Sequence, residues 1–147
     1  MSAKPDIKAF LDTNIFVYEI DSKAPKAKRR IAHNLVREAL GQRRSVISWQ
    51  VIQEFMNVVT GKFSSPMTVS DAQQYMNTVF QPLIVVRPSI ELFSGALGIR
   101  ERHQVSWYDS LIVAAAAEAH CSVLYTEDLQ HGAKIGSIRI ENPFRGE

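Results

Sequence analysis

The stretch Ile7-Lys8-Ala9-Phe10-Leu11-Asp12-Thr13-Asn14 is a short, mostly apolar run that breaks into three polar residues. An apolar block of that length reads as a buried strand, and Asp-Thr-Asn is turn chemistry. Outward from it, the same kind of block recurs at Ser45-Val46-Ile47-Ser48, Leu83-Ile84-Val85-Val86, Ser122-Val123-Leu124-Tyr125 and Ile138-Arg139-Ile140. Helical spacing fills most of the intervals. Ile31, Leu35, Val36, Ala39 and Leu40 lie between Pro25, suited to a first helical turn, and Gly41, a stop signal. Ser48 can cap a helix carrying Val51, Ile52, Phe55, Met56 and Val59, which a loop ending at Pro66 breaks. Ser70-Asp71-Ala72-Gln73 has capping-box form ahead of Tyr75, Met76, Val79 and Phe80, which should share one helix face. Ser89 opens a helix to about Arg102, and Ser106-Trp107-Tyr108-Asp109 caps an alanine-rich one.

Apolar strands that alternate with helices pair in parallel through right-handed crossovers. The expected fold is therefore α/β: a three-layer α/β/α sandwich on a central, mostly parallel sheet of four or five strands. The 147 residues suffice for one such domain, residues 1–147, and are too few for two with proper cores.

Composition narrows the class further. Apolar residues make up 46% and charged residues 22%, which excludes a disordered or collagen-like chain. The N-terminus from Met1 to Asp6 has no apolar block of signal-peptide kind, and no stretch reaches membrane-span length. A single cysteine, Cys121, excludes a disulfide framework and a multi-cysteine zinc site. These features predict a cytoplasmic protein with no membrane partner. The formal charge of +2 is a sum of two opposed parts. Eight of the 17 Lys and Arg residues fall between Lys23 and Arg44, where Glu38 is the one acid. The rest of the chain is net acidic.

In parallel α/β sheets, ligands bind beyond the carboxyl ends of the strands. Asp12 follows the first strand and Asp128 the fourth; Asp109 opens the helix leading into the fourth, and Glu54 lies early in the helix after the second. Each has a plain structural reading. Asp109 can complete a capping box with Ser106, Asp12 can be a turn residue, Glu54 a solvated helix residue, and Glu127-Asp128 a polar strand exit. Taken together, carboxylates that converge on one cleft repel each other until they are protonated or a cation neutralises them. Hard oxygen donors favour Mg²⁺, or Mn²⁺, over zinc. An ion held by few carboxylates keeps waters and can activate one against a phosphodiester. Asn14 and Thr126 are polar groups able to orient such ligands.

At these residues the chain resembles a known family. Phe10-Leu11-Asp12-Thr13-Asn14-Ile15-Phe16-Val17-Tyr18 resembles the opening motif of PIN-domain ribonucleases, especially VapC-type toxins of bacterial toxin–antitoxin pairs. Ser48 with Glu54-Phe55 resembles their second motif. Trp107-Tyr108-Asp109-Ser110-Leu111-Ile112-Val113-Ala114-Ala115-Ala116 is similar to the third, and Leu124-Tyr125-Thr126-Glu127-Asp128-Leu129 to the fourth. The resemblance implies a Mg²⁺- or Mn²⁺-dependent endoribonuclease, the toxin of a pair that arrests translation or growth. Asp12, Glu54, Asp109 and Asp128 would be its catalytic and metal-binding acids, with Asn14 and Thr126 as supporting polar groups. It further implies a cognate VapB-like antitoxin and a homodimer. One departure stands out: many relatives have a phenylalanine soon after the fourth acid, where this chain has Leu129-Gln130-His131-Gly132. That departure leaves the choice between Glu127 and Asp128 open, with the spacing from Thr126 favouring Asp128.

For an RNA substrate the basic segment acquires a use. Lys26, Arg29, Arg30, Arg43 and Arg44, with Arg100 and Arg102 as a second group, can bind phosphates without reading bases. The plain alternative is a solvated helix face. Two further readings remain: a catalytically silent PIN-like module that binds RNA or protein, and a stand-alone nuclease without an antitoxin. A dehalogenase-type phosphatase would need a second carboxylate where Asn14 stands, and a dinucleotide-binding fold a glycine-rich first turn.

Overall fold

The coordinates, a computed structural model, describe residues 8–146. Ile7 and the N-terminal residues that were read for a leader lie outside the described residues. The five expected strands form, and each is short: β1 (Ala9–Leu11), β2 (Ser45–Ser48), β3 (Ile84–Val86), β4 (Val123–Tyr125) and, last in the chain, β6 (Ile138–Glu141). A sixth, β5 (Lys134–Ile135), exceeds the expected count. Two residues carry no periodicity. This strand exists because Gly136, at a φ of +60°, turns the chain so that Lys134 and Ile135 pair antiparallel with Arg139 and Ile138.

The sheet order is β3-β2-β1-β4-β6-β5, with every neighbouring pair parallel except the last. From β1 the chain steps outward through β2 to β3, then crosses back to the other side of β1 to form β4. Right-handed crossovers put the helices of the outward steps on one face and those of the return on the other. The first face carries α1 (Thr13–Ile20), α2 (Lys26–Gln42), α3 (Trp49–Gly61) and α4 (Val69–Tyr75), with α1 packed on both α2 and α3. The second carries α5 (Ile90–His103) packed on α6 (Trp107–Glu118). The expected three-layer α/β/α sandwich is what forms.

The core follows from this layering. Phe10 and Leu11 in β1, Ile47 in β2, and Leu124 and Ile140 across the sheet are fully buried. Above them Phe16, Phe55, Tyr75 and Phe80 make a ring cluster of edge and stacked contacts, with centroids 4.9–5.1 Å apart, that joins α1, α3 and α4. Beneath them α6 buries every residue from Ser110 to Ala116, which its alanines permit by letting the helix lie close to the sheet.

Several local readings are corrected. Asp12-Thr13-Asn14 is a helix start rather than a free-standing turn: Asp12 caps α1, and Ile15 and Phe16 are buried at once behind it. Helix α2 runs through Gly41, and Arg43 takes the left-handed conformation that ends it, its N–H closing on Ala39 O. The cap of α4 is Thr68, which accepts from Asp71 N, two residues ahead of the expected Ser70. A π-helical turn, Met76–Phe80, then continues α4 and shifts the register, so Met76 faces solvent while Tyr75 and Phe80 face the core. Ser48 sits where a cap should, yet its hydroxyl is buried and accepts no helix N–H. Among the described residues no helix is long and apolar enough to cross a membrane.

Candidate active site

The order of the sheet changes direction at β1, so the crevice between β1 and β4 is the switch point at which such folds bind ligands. One backbone bond joins these two strand ends, Asp12 N donating to Tyr125 O at 3.0 Å, while Thr126 N donates to Glu141 O of β6 at 3.0 Å on the other side of β4. Asp12 and Thr126 therefore leave neighbouring strands side by side. The Thr126 hydroxyl donates to Asp12 Oδ2 at 2.8 Å, while Thr13 N donates to Asp12 Oδ1 at 2.7 Å. Asp12 is only 4% exposed.

The other groups arrive from different elements. Glu54 descends from the second turn of α3, and Thr13 Oγ1 donates to its Oε1 at 2.9 Å. Asp109 comes from the first turn of α6, where its N–H is capped by Ser106 Oγ at 3.1 Å. The hydroxyl half of the expected capping box thus forms, and the carboxylate lines the cleft. Asp128 follows β4; its N–H donates to Thr126 Oγ1 at 3.1 Å and its Oδ2 accepts from Asn14 Nδ2 at 3.2 Å. Asn14 Nδ2 also reaches Thr126 Oγ1 at 3.3 Å. Asp12, Glu54, Asp109 and Asp128, together with Asn14 and Glu127, line one cleft of about 350 Å³. Thr126 lies beneath it, fully buried.

Burial and neighbouring carboxylates set the electrostatics of the cleft. Burial pushes the Asp12 carboxyl up to about 7; the hydrogen bonds from Thr126 and Thr13 N oppose the rise, and the charges of Asp128 and Glu54 add to it. Partial burial also raises Asp128, helped by Asp109 and Glu127 and opposed by the Asn14 hydrogen bond. Asn14 Oδ1 is buried without a partner, an acceptor facing no donor beside Asp128. Among the described residues no three Asp, Glu, His or Cys side chains stand in a preset metal cage. A set of hard oxygen donors that includes two raised carboxyls, Asp12 and Asp128, and an orphaned amide oxygen nevertheless fits a divalent cation that brings its own waters as hydrogen-bond donors.

The seven basic residues singled out for RNA lie elsewhere. Lys26 and Arg30 are exposed on α2, with Arg43 and Arg44 exposed beyond its end. Arg29 is partly buried and its Nε has no hydrogen-bond partner. Arg100 and Arg102 are exposed in the last turn of α5, where Arg100 donates to Val105 O at 3.2 Å beside a separate groove of about 710 Å³. None of the seven is among the residues lining the acid cleft.

Three residues at the cleft escaped the sequence reading. Thr13 orients Glu54 as described. Tyr18 lines the cleft and donates to Glu127 Oε1 at 2.6 Å, and Lys28 Nζ stands 3.5 Å from Glu127 Oε2. One signal was present for Tyr18: it is four residues after Asn14, hence on the same face of α1.

The fold is shared with solved structures of low sequence identity. A DNA-bound VapBC from Salmonella typhimurium is 23% identical with a TM-score of 0.64, over 93% of this chain and 98% of that one. VapBC2 from Rickettsia felis, bound to a DNA fragment from its promoter, is 20% identical with a TM-score of 0.65, over 92% and 98%. VapC20 from Mycobacterium tuberculosis, described as a sarcin–ricin-loop-cleaving toxin, is 14% identical with a TM-score of 0.61, over 82% and 92%. At these identities the likeness is one of fold. No curated protein matches the chain. The PIN domain family model matches residues 9–134. A match that begins with β1 and takes in all five acids lining the cleft leaves one conclusion: the chain belongs to the PIN-domain family.

Proposed function

We propose that this chain is a divalent-metal-dependent endoribonuclease of the VapC type, the toxin of a toxin–antitoxin pair, acting in the cytoplasm as a single PIN-like nuclease domain over residues 1–147. The observation that carries this reading is Asp12, buried at the switch point with its carboxyl pushed up to about 7 among the carboxylates of Glu54, Asp109 and Asp128. A buried acid of that kind is stable as an anion only beside a cation. Asp12, Glu54, Asp109 and Asp128 are the proposed catalytic acids and ligands for Mg²⁺, with Mn²⁺ as a substitute. Asn14 and Thr126 hold Asp12 and Asp128 in place. When bound, such an ion supplies an activated water at neutral pH and offsets charge on a phosphodiester.

The chain's own groups do the rest. Thr13 fixes Glu54, and Thr126 fixes Asp12 while leaving lone pairs on both Asp12 oxygens free for an ion. Lys26, Arg29, Arg30, Arg43 and Arg44, and on the other side Arg100 and Arg102, are proposed contacts for RNA phosphates away from the cleft. Complexes of similar fold solved as VapBC pairs support a VapB-like antitoxin as partner. Exposed Ile90, Phe93 and Leu97, spaced along one face of α5 near exposed Trp49 and Tyr108, support a homodimer formed over that apolar stripe.

The test is cleavage of structured RNA by purified chain with Mg²⁺ or Mn²⁺, and its loss with chelator. Asp12→Asn and Asp109→Asn should each abolish cutting while the circular dichroism spectrum is kept. Undiminished cutting by both variants overturns the site; RNA binding without cutting by the intact chain identifies a silent module instead.

A further inference from the structure

Five carboxylates line the cleft, but the fifth is held differently. Glu127 has both oxygens engaged by partners outside the acid set: Tyr18 donates to Oε1 at 2.6 Å, and Lys28 Nζ pairs with Oε2 at 3.5 Å. Lys28 also donates to the Tyr18 hydroxyl at 3.3 Å, which closes a three-membered ring of polar contacts. The ammonium stands over the rings of Tyr18 and Phe144, 5.0 and 6.0 Å from their centroids, and Phe144 meets Tyr18 edge-on at 4.7 Å. Phe144 is buried, so this seat is fixed from behind.

Swinging Glu127 toward an ion in the cleft has an identifiable cost. Lys28 and Glu127 side chains are only 22% and 25% exposed, so the move strands an ammonium and a phenol hydroxyl that water does not fully reach. Asp128, the adjacent residue, is held by the neutral Asn14 amide and carries no opposing charge to be stranded. The two neighbouring acids are thereby sorted, one toward the cleft and one into its wall.

We propose that Tyr18 and Lys28 are positioning residues that withhold Glu127 from the metal, so that four acids rather than five face it and the site favours a small, water-rich ion. This rests on the metal-site reading above. Mg²⁺ is bound through a few carboxylates and keeps its waters, whereas Ca²⁺ collects six to eight oxygen ligands, so a released fifth carboxylate benefits Ca²⁺ more. Charge alone would make the site more attractive to any cation; the added ligand is what separates the two ions.

The experiment is calorimetric titration of metal-free chain with Mg²⁺ and with Ca²⁺, for wild type, Tyr18→Phe, Lys28→Met, the pair together, Glu127→Gln, and the triple variant. Tyr18→Phe retains the ring and its packing, so the fold has a conservative control. Freeing Glu127 in the Tyr18→Phe/Lys28→Met chain should shift the Ca²⁺-to-Mg²⁺ affinity ratio toward Ca²⁺ by about tenfold, the scale of residues that orient metal ligands. Adding Glu127→Gln should return the ratio to the wild-type value, and Glu127→Gln alone should leave it unchanged. An unchanged ratio in the double variant, or a loss of binding of about tenfold or more from Glu127→Gln alone, overturns the clamp. Failure of the wild type to bind either ion overturns the metal site itself.

Discussion

The Thr126 hydroxyl donates to Asp12 Oδ2 at 2.8 Å and in the same place accepts from Asp128 N at 3.1 Å and Asn14 Nδ2 at 3.3 Å. One buried oxygen thus ties the acid after β1 to the acid after β4.

Replacing Thr126 by Val keeps the volume and removes all three bonds. The unpaired groups left behind should lower stability by about 1–3 kcal/mol, read from urea denaturation. Thr126→Ser restores the hydroxyl and should recover most of the loss. Equal instability of Ser and Val variants would mean that the methyl group, not the hydroxyl, matters here.

Asp12 gives the metal-free protein a distinct pH profile. Its carboxyl is raised from 3.8 to about 7, so between those values the folded state holds a proton that the unfolded state has lost. Stability from this group is therefore full at acid pH and falls as pH rises through about 7, by as much as about 4 kcal/mol in the linkage relation. The melting temperature of metal-free protein should decline from pH 5 to pH 8, and Asp12→Asn should flatten the slope. Adding Mg²⁺ should protect more strongly at the alkaline end. A metal-free profile that rises over this window contradicts the assignment.

Glu54 depends on Thr13. Thr13→Val removes the hydroxyl that donates to Glu54 Oε1 at 2.9 Å and should lower cleavage by about 10–100-fold with little change in melting temperature. The conservative Thr13→Ser should cut normally.

The apolar stripe on α5 predicts an oligomeric state. Leu97→Glu, at a site 59% exposed, should leave the fold intact and convert a dimer to monomers in light scattering. A wild-type chain that is already monomeric at high concentration removes the basis for that surface.

Cys121 is 2% exposed and burial raises its thiol to about 11. It should resist thiol reagents in the native state and react once on unfolding, a convenient measure of global opening.

The fold was legible where burial is two-sided and local. Phe10-Leu11, Val46-Ile47 and Val123-Leu124 are apolar because both faces of the sheet are covered, and the run of alanines in α6 marks close approach to that sheet. Asp12 and Asp128 were legible because each stands just past such a block, and Asp109 and Glu54 because each lies in the first turns of a helix whose start the sequence marks. What could not be read came from partners distant in sequence or from geometry without a residue signature. Glu127 and Tyr18 are 109 positions apart, so nothing nearby marks either as held by the other. The π turn at Met76–Phe80 uses the same apolar residues as an ordinary helix, and the spacing rule misassigned Met76 for that reason. Ser48 has the identity of a cap and the burial of a core residue; tertiary packing decided between them.

The β1–β4 pairing has a consequence for how the molecule is made. Asp12 is synthesised early, yet the hydroxyl that holds it and the far wall of its cleft come from Thr126 and Asp128, 114 and 116 positions later. During translation the emerging chain can lay down β1, β2 and β3 with their helices long before the crevice beside β1 exists. A polypeptide that ends between residues 109 and 126 holds three of the four proposed acids and lacks the β4 side of the cleft. The cleft is therefore completed only when β4 takes its place beside β1, late in the order of synthesis.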